Sequence, residues 1–207
     1  MTRVLVASSN PGKLADFAAA AALFNVEVAP LPGIKQIQPP EETGTTFEEN
    51  ARLKAEYYSP HAPGEILIAD DSGLVVDALG GAPGVRSARY AEDAGISTHD
   101  PDSANNALLL RQAAAIPDSQ RQCAFVCAIA AAQNGTALHT FTARARGMLL
   151  HKERGSNGFG YDPLFYFPQL NKSFAELSRE EKLKVSHRGA AFHMFLEWMK
   201  APKQAHV

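Results

Sequence analysis

Two adjacent carboxylates, Asp70 and Asp71, close an apolar run, Ile66 to Ala69, of the kind that makes a buried strand. Neighbouring strand residues point to opposite faces, so one carboxylate can enter a cleft while the other ties down a loop. Two anions at the end of a buried strand are costly unless a positive group meets them, and a Mg²⁺ ion would relieve that cost. The pair therefore points to metal binding or acid–base chemistry, with helix capping or a salt bridge as the structural alternative. It lacks the Asp-x-Asp spacing of haloacid-dehalogenase-type phosphatases. A second cluster is Ser8-Ser9-Asn10-Pro11-Gly12-Lys13. Backbone N–H groups at a helix start, with Lys13 as a fixed cation, can cradle phosphate; the same residues also suit a plain turn and cap. This is not a Walker A loop, because Leu14 follows Lys13 where Ser or Thr is needed. Further on, Gly158-Phe159-Gly160-Tyr161-Asp162-Pro163 sets aromatics and an acid among glycines that let backbone approach a ligand. Ser186-His187-Arg188 reads either as a helix cap with one basic residue or as a set of ligand donors. No G-x-S-x-G elbow and no H-E-x-x-H zinc helix occurs.

The elements around these clusters are legible from patterning. Arg3 to Ala7 is a short strand whose loop leads into a helix beginning near Lys13 and carried by Leu14 to Phe24; Val26 to Leu31 resumes an extended pattern. This βαβ-like opening puts the polar loop at the carboxyl end of the first strand, where α/β sheets bind ligands. Thr46 and Glu49 fit a capping box, which predicts a helix from about Phe47 to Tyr58. Leu74 to Leu79 is expected to continue extended, and Ser103 to Ala115 to be helical. Cys123 to Ala132 and Thr136 to Arg146 flank Asn134-Gly135, a strong hairpin signal. A short helix should cover Ser178 to Val185 and a last one Gly189 to Lys200, with Ala191, Phe195, Trp198 and Met199 near one face. No repeat or linker divides the chain, so a single α/β unit of two lobes over residues 1–207 is the reading.

Composition narrows the partners. Of 207 residues 45% are apolar and 20% charged, which excludes disorder and is ample for one core. Lys and Arg number 20 against 22 Asp and Glu, a formal charge of −2, so the basic surplus of a duplex nucleic-acid binder is absent. Any anionic ligand must be met by a local cluster or a metal ion. Cys123 and Cys127 lie four apart in one strand, about 13 Å between Cα atoms, too far for a disulfide. Buried free thiols fit a reducing compartment. Without a signal peptide or a membrane-length apolar run, the expectation is a cytoplasmic protein that binds neither nucleic acid nor membrane.

In order along the chain stand Ser8 to Lys13, Glu42-Thr43-Gly44-Thr45-Thr46-Phe47-Glu48-Glu49-Asn50-Ala51, Ala69-Asp70-Asp71-Ser72-Gly73-Leu74, Gly80-Gly81-Ala82-Pro83-Gly84, Gly158 to Pro163 and Ser186-His187-Arg188-Gly189. Together they closely resemble the inosine/xanthosine triphosphate pyrophosphatase family of the bacterial RdgB type, over about residues 3 to 198. Ser8 stands where many members carry Thr, which keeps the hydroxyl. The resemblance implies a long, mixed, twisted sheet with flanking helices in two lobes around a central cleft, and a homodimer. It also implies hydrolysis of ITP, dITP or XTP to monophosphate and pyrophosphate, with at least one Mg²⁺ per subunit. By that resemblance Ser8, Ser9, Asn10, Pro11, Gly12 and Lys13 would hold the triphosphate. Asp71 would be proton acceptor and metal ligand, with Glu42 on the metal side and Ser72 touching substrate. Phe159, Gly160, Tyr161, Asp162, Lys182, His187 and Arg188 would line the nucleotide pocket. The residues suit that chemistry: Lys13, Lys182 and Arg188 can answer phosphate charge, and donors from His187, Arg188 or nearby backbone suit a 6-oxo purine. Two rival readings are a purine-nucleotide sensor without turnover and a Maf-like pyrophosphatase for other modified nucleotides.

Overall fold

The sheet is built around one long hairpin. β-Rich residues and the Asn134-Gly135 turn, with both residues at positive φ, join strand β4 (Gln122–Gln133) to β5 (Thr136–Leu149). The computed structural model describes residues 2–22 and 24–201; the ends of the expected 1–207 domain, and Leu23 within the expected Leu14 to Phe24 helix, lie outside the described residues. Five further strands complete the sheet: β1 (Thr2–Val6), β2 (Val26–Pro30), β3 (Leu67–Val76), β6 (Phe165–Phe167) and β7 (Lys172–Ser173). Their order is β2-β1-β3-β4-β5-β6-β7, parallel among the first three and antiparallel from β3 onward. The expected mixed sheet is therefore present, flanked by helices α1 (Pro11–Ala22), α2 (Phe47–Tyr58), α3 (Tyr90–Asp93), α4 (Pro101–Gln112), α5 (Arg179–Val185) and α6 (His187–Lys200).

Two cores on the same sheet define the lobes. In the first, Phe17 of α1 and Phe192 and Phe195 of α6 pack on Val4, Val6, Ile68, Ile129 and Phe141, with Trp198 and Met199 against them. Across the sheet, Ala51 and Ala55 of α2 face Ala128, Ala130 and Ala132 of β4, small side chains that let helix and sheet approach closely. In the second lobe Leu109, Phe125, Leu149, Phe165 and Phe174 close over Leu74 and Val76. Strand β3 runs through both, with Ile68 in one core and Leu74 in the other, and carries Asp70 to Gly73 across the gap.

That path corrects one expectation. Asp70 and Asp71 do not end a strand; they are mid-strand, opposite Ile129 and Ala128 of β4. The Asp-Asp-Ser-Gly string reads as turn chemistry, but the antiparallel ladder with β4 overrides it, and Gly73 lets the strand pass close under Ser87 and Gly84. The extended run stops at Val76 and becomes a 3₁₀ turn over Asp77–Leu79. The boundaries of α1, α4 and α6 begin earlier than their periodicity suggests, because Pro11 and Pro101 occupy first turns and Ser186 caps α6. The Thr46–Glu49 capping box forms as read, and α2 spans Phe47–Tyr58. Among the described residues no helix is long and apolar enough to cross a membrane.

Candidate active site

The cleft between the lobes holds a cavity of about 320 Å³. Its floor is β3, which supplies Asp71, Ser72 and Gly73. Around it stand Asn10 and Lys13 from the first loop and α1, Glu42 and Lys54 from the α2 region, and Phe159 to Asp162, Lys182, His187 and Arg188 from the C-terminal third. A second cavity, sharing Asn10, Asp102, Phe159 and Lys182 with the first, also takes in Pro11 and Gly12.

Asp70 and Asp71 face opposite sides, as strand alternation requires, but the partners differ from the expected division between cleft and loop. Asp70 is 4% exposed and binds two cations: Lys13 Nζ at 2.9 Å and Arg188 Nε at 3.7 Å. Burial pushes its carboxyl upward, yet Lys13 and Arg188 outweigh that and hold it well below the usual carboxylate range. Asp70 thus ties down two cleft cations, not a loop. Arg188 is fixed further by Asp16 at 2.9 Å and the Ser72 hydroxyl at 2.9 Å.

On the other side Asp71 accepts from Lys54 Nζ at 2.8 Å, and Glu42 accepts from the same ammonium at 2.8 Å. Burial raises the Asp71 carboxyl above its ordinary value despite Lys54. For Glu42 burial also raises, but Lys54 and then Arg89 prevail and lower it. Asn50, almost fully buried, braces this corner: its amide oxygen accepts from Gly44 N–H at 2.8 Å, and its nitrogen points at Asp71 at 3.4 Å. Glu42 and Asp71 therefore bracket one point already filled by a positive charge. Mg²⁺ typically takes one or two carboxylates and completes its shell with water and phosphate oxygens. That donor set fits here, whereas among the described residues no cluster of three or more His, Cys, Asp or Glu forms a full protein cage.

At the opposite end, Phe159 lies under Lys182 Nζ, 5.1 Å from its centroid, and beside the Arg188 guanidinium at 5.5 Å. Its ring crosses the cleft to the first loop; a Cβ on Gly12 would lie 2.8 Å from it, so only glycine allows the approach. Asp162 pairs with Lys182 and accepts from the Phe159 N–H, while the Tyr161 hydroxyl donates to Ser87 O at 2.8 Å. Gly160 is clipped by Asp102, which accepts from its N–H at 2.7 Å. His187 stacks on Phe125 at 4.7 Å, and burial, then the charges of Arg188 and Lys182, push its pKa well below the ordinary value. The imidazole is neutral, and among the described residues its Nδ1 has no partner.

Ser8 and Ser9 do not line the cavity; Ser8 Oγ instead accepts from Asn10 N–H at 3.2 Å. Asn10 is the cap, its side chain accepting from Lys13 N–H at 3.1 Å. Pro11 and Gly12 are reached only through the adjoining cavity. Sequence reasoning missed Lys54, Arg89, Asn50 and Asp16. Lys54 was findable, since it lies on the Asn50 and Ala51 side of the capping-box helix, turned toward the sheet; Asp16 and Arg89 carry no comparable signal.

The fold and this cleft define a two-lobed α/β protein whose paired carboxylates and cations are arranged for a polyanionic ligand with an aromatic end. Comparison with known proteins agrees. The Ham1 family model matches residues 4–198, and the chain belongs to that family. It is 50% identical to the dITP/XTP pyrophosphatase of Acidobacterium capsulatum over 194 residues, covering 92% of this chain and 95% of that one. Among solved structures, a HAM1 protein from Coxiella burnetii is 35% identical with a TM-score of 0.83, covering 98% of this chain and all (100%) of that one. The Staphylococcus aureus Ham1 protein is 37% identical with a TM-score of 0.81, covering 96% and 98%.

Proposed function

We propose that this protein hydrolyses non-standard purine nucleoside triphosphates, ITP, dITP and XTP, to the monophosphate and pyrophosphate, keeping them out of DNA and RNA. The observation that carries the reading is the position of Asp71, between a cation-rich corner and an aromatic wall in one cleft. A purine against Phe159 would place its phosphates along Lys13 and Lys54, with the α-phosphorus beside Asp71. The relatives' names support the substrate class.

In this reading Asp71 accepts the proton of the attacking water. Lys13 and Lys54 trade their carboxylate partners for phosphate oxygens, so charge developing in transfer is met by groups already in place. Glu42 and Asp71 would hold Mg²⁺, which when bound polarises phosphate oxygens and offsets charge on the leaving pyrophosphate. Before substrate binds, Asp70 keeps Lys13 at the cleft, with the Arg188 guanidinium 3.7 Å away. Base choice is assigned to His187, whose Nδ1 has no partner among the described residues, and to neighbouring backbone groups, while Arg188 spends two donors on Asp16 and Ser72. A site donor aimed at a 6-oxo group is left unpaired by adenine. The resemblance carries the homodimer and the cytoplasmic setting into the same proposal, and sedimentation of the purified protein tests the first.

The test is product analysis with ITP, dITP, XTP, GTP and ATP, with and without EDTA. Pyrophosphate release with the first three, abolished by EDTA, is expected. Orthophosphate release, binding without turnover, or preference for modified pyrimidines would overturn the reading in favour of another hydrolase, a sensor or a Maf-like enzyme.

A further inference from the structure

The cations lining the cavity are not equivalent. Lys13, Lys54, Lys182 and Arg188 have side chains 20%, 13%, 10% and 4% exposed, each against a buried or half-buried carboxylate. Arg89 differs: its side chain is 41% exposed, and among the described residues its one hydrogen bond runs from a terminal N–H to Glu42 at 2.7 Å. A guanidinium carries five N–H donors in a planar fork, so among the described residues most of the Arg89 donors have no partner, and the residue lines the cavity.

The residue is also held in place. Arg89 ends a 3₁₀ segment, Gly84–Arg89, and Tyr90 carries the chain on into α3. Ser87 bonds back to that segment and to β3, donating to Gly84 O at 2.6 Å and accepting from Leu74 N–H at 2.9 Å. Asn105 of α4 binds both ends of the turn, accepting from Ala91 N–H at 2.7 Å and donating to Ala88 O at 3.3 Å. The fork thus projects from a braced backbone at the Glu42–Lys54 corner. Phe159 and His187 come from the C-terminal third, whose Tyr161 hydroxyl also braces this segment by donating to Ser87 O at 2.8 Å.

We infer that Arg89 grips the terminal phosphates of the substrate, and hence the departing pyrophosphate, rather than the nucleoside monophosphate half. The inference rests on the proposed hydrolysis at the α-phosphorus. With the α-phosphorus beside Asp71, the outer phosphates come within reach of the Lys54 ammonium that joins Asp71 to Glu42, and Glu42 holds the Arg89 fork. A planar fork matches two phosphate oxygens at once, which a lysine does not. Glu42 serves as its resting partner and keeps it from folding away into solvent.

The experiment measures inhibition of ITP hydrolysis by inorganic pyrophosphate and, separately, by IMP, in wild type, Arg89→Gln and Arg89→Lys, with melting curves for each. Arg89→Gln should weaken inhibition by pyrophosphate about tenfold or more while inhibition by IMP stays within about twofold, and Arg89→Lys should recover only part of the loss. Unchanged pyrophosphate inhibition in a wild-type-like melting variant overturns the inference, as does equal weakening toward both products. If the wild type releases orthophosphate instead of pyrophosphate, the α-phosphorus reading itself fails, an outcome distinct from the first two.

Discussion

Replacing Asp70 by Asn should damage the protein differently from replacing Asp71, although the two are neighbours. Asp70 is buried and bonded to Lys13 at 2.9 Å, with the Arg188 guanidinium at 3.7 Å. Asn keeps the shape and removes the charge, leaving Lys13 without its carboxylate, while Arg188 still has Asp16 at 2.9 Å. Removing one partner of a buried pair typically costs ~3–5 kcal/mol, and the surviving Asp16 contact puts the expected loss near the low end, about 3 kcal/mol. For a domain of this size that is a fall in Tm of roughly 6–12 °C. Asp71→Asn should be nearly silent in Tm, because Lys54 keeps Glu42 at 2.8 Å and the Asp71 charge is already disfavoured by burial. It should instead lower kcat by at least ~10²-fold. The pH dependence of the Asp70 effect has a definite sign. Its folded-state pKa lies below the ordinary 3.8, so its stabilisation is present above that value and is lost as pH falls toward the folded pKa. The Tm gap between wild type and Asp70→Asn should be flat from about pH 5 upward and narrow only below about pH 4. Melting curves across that range, paired with turnover at neutral pH, make the assay. An Asp70→Asn protein that melts with the wild type at neutral pH would refute the reasoning.

Three further outcomes follow from the same geometry. Because burial raises the Asp71 pKa in the metal-free protein, carboxylate NMR without Mg²⁺ should show Asp71 titrating above the ordinary 3.8, with that transition missing from Asp71→Asn; a midpoint at or below that value contradicts the assignment. Gly12→Ala puts a methyl 2.8 Å from the Phe159 ring, so KM for every purine triphosphate should rise several-fold, and the double change with Phe159→Ala should cost less than the sum. Additive losses would show that the contact is incidental. His187→Ala should narrow the ratio of ITP to ATP kcat/KM, whereas Arg188→Ala should lower all rates together and the Tm with them, since its guanidinium ties Asp16 of α1 and Ser72 of β3 to α6. A selective effect of Arg188→Ala alone would reverse that division.

Local chemistry was easiest to read from the chain. The Thr46–Glu49 box, the Asn134-Gly135 turn and the Ser186 cap act within a few residues, so their residue types suffice. The mid-strand position of Asp70 and Asp71 was not legible, because it depends on β4, more than fifty residues away, supplying the ladder (Asp71 opposite Ala128). The long mixed sheet came from the family resemblance rather than from patterning, whereas the single two-lobed α/β unit was legible from the run of elements without a linker. In the site, the cavity gathers most of the expected residues, but who pairs with whom was invisible. Asp16 reaches Arg188 across 172 positions of chain, and Lys54 reaches Asp71 across 17. Those pairings are set by tertiary packing of α1, α2 and α6 on the sheet. The bond from Asn10 N–H to the Ser8 hydroxyl, within the turn, was likewise not legible from residue type.

The central claim is that water attacks the α-phosphorus, activated beside Asp71. Hydrolysis of ITP in oxygen-18 water, with the products separated and weighed by mass spectrometry, tests it directly. The account predicts one heavy oxygen in IMP and none in pyrophosphate. Heavy oxygen in pyrophosphate, or IDP with labelled orthophosphate, would contradict it.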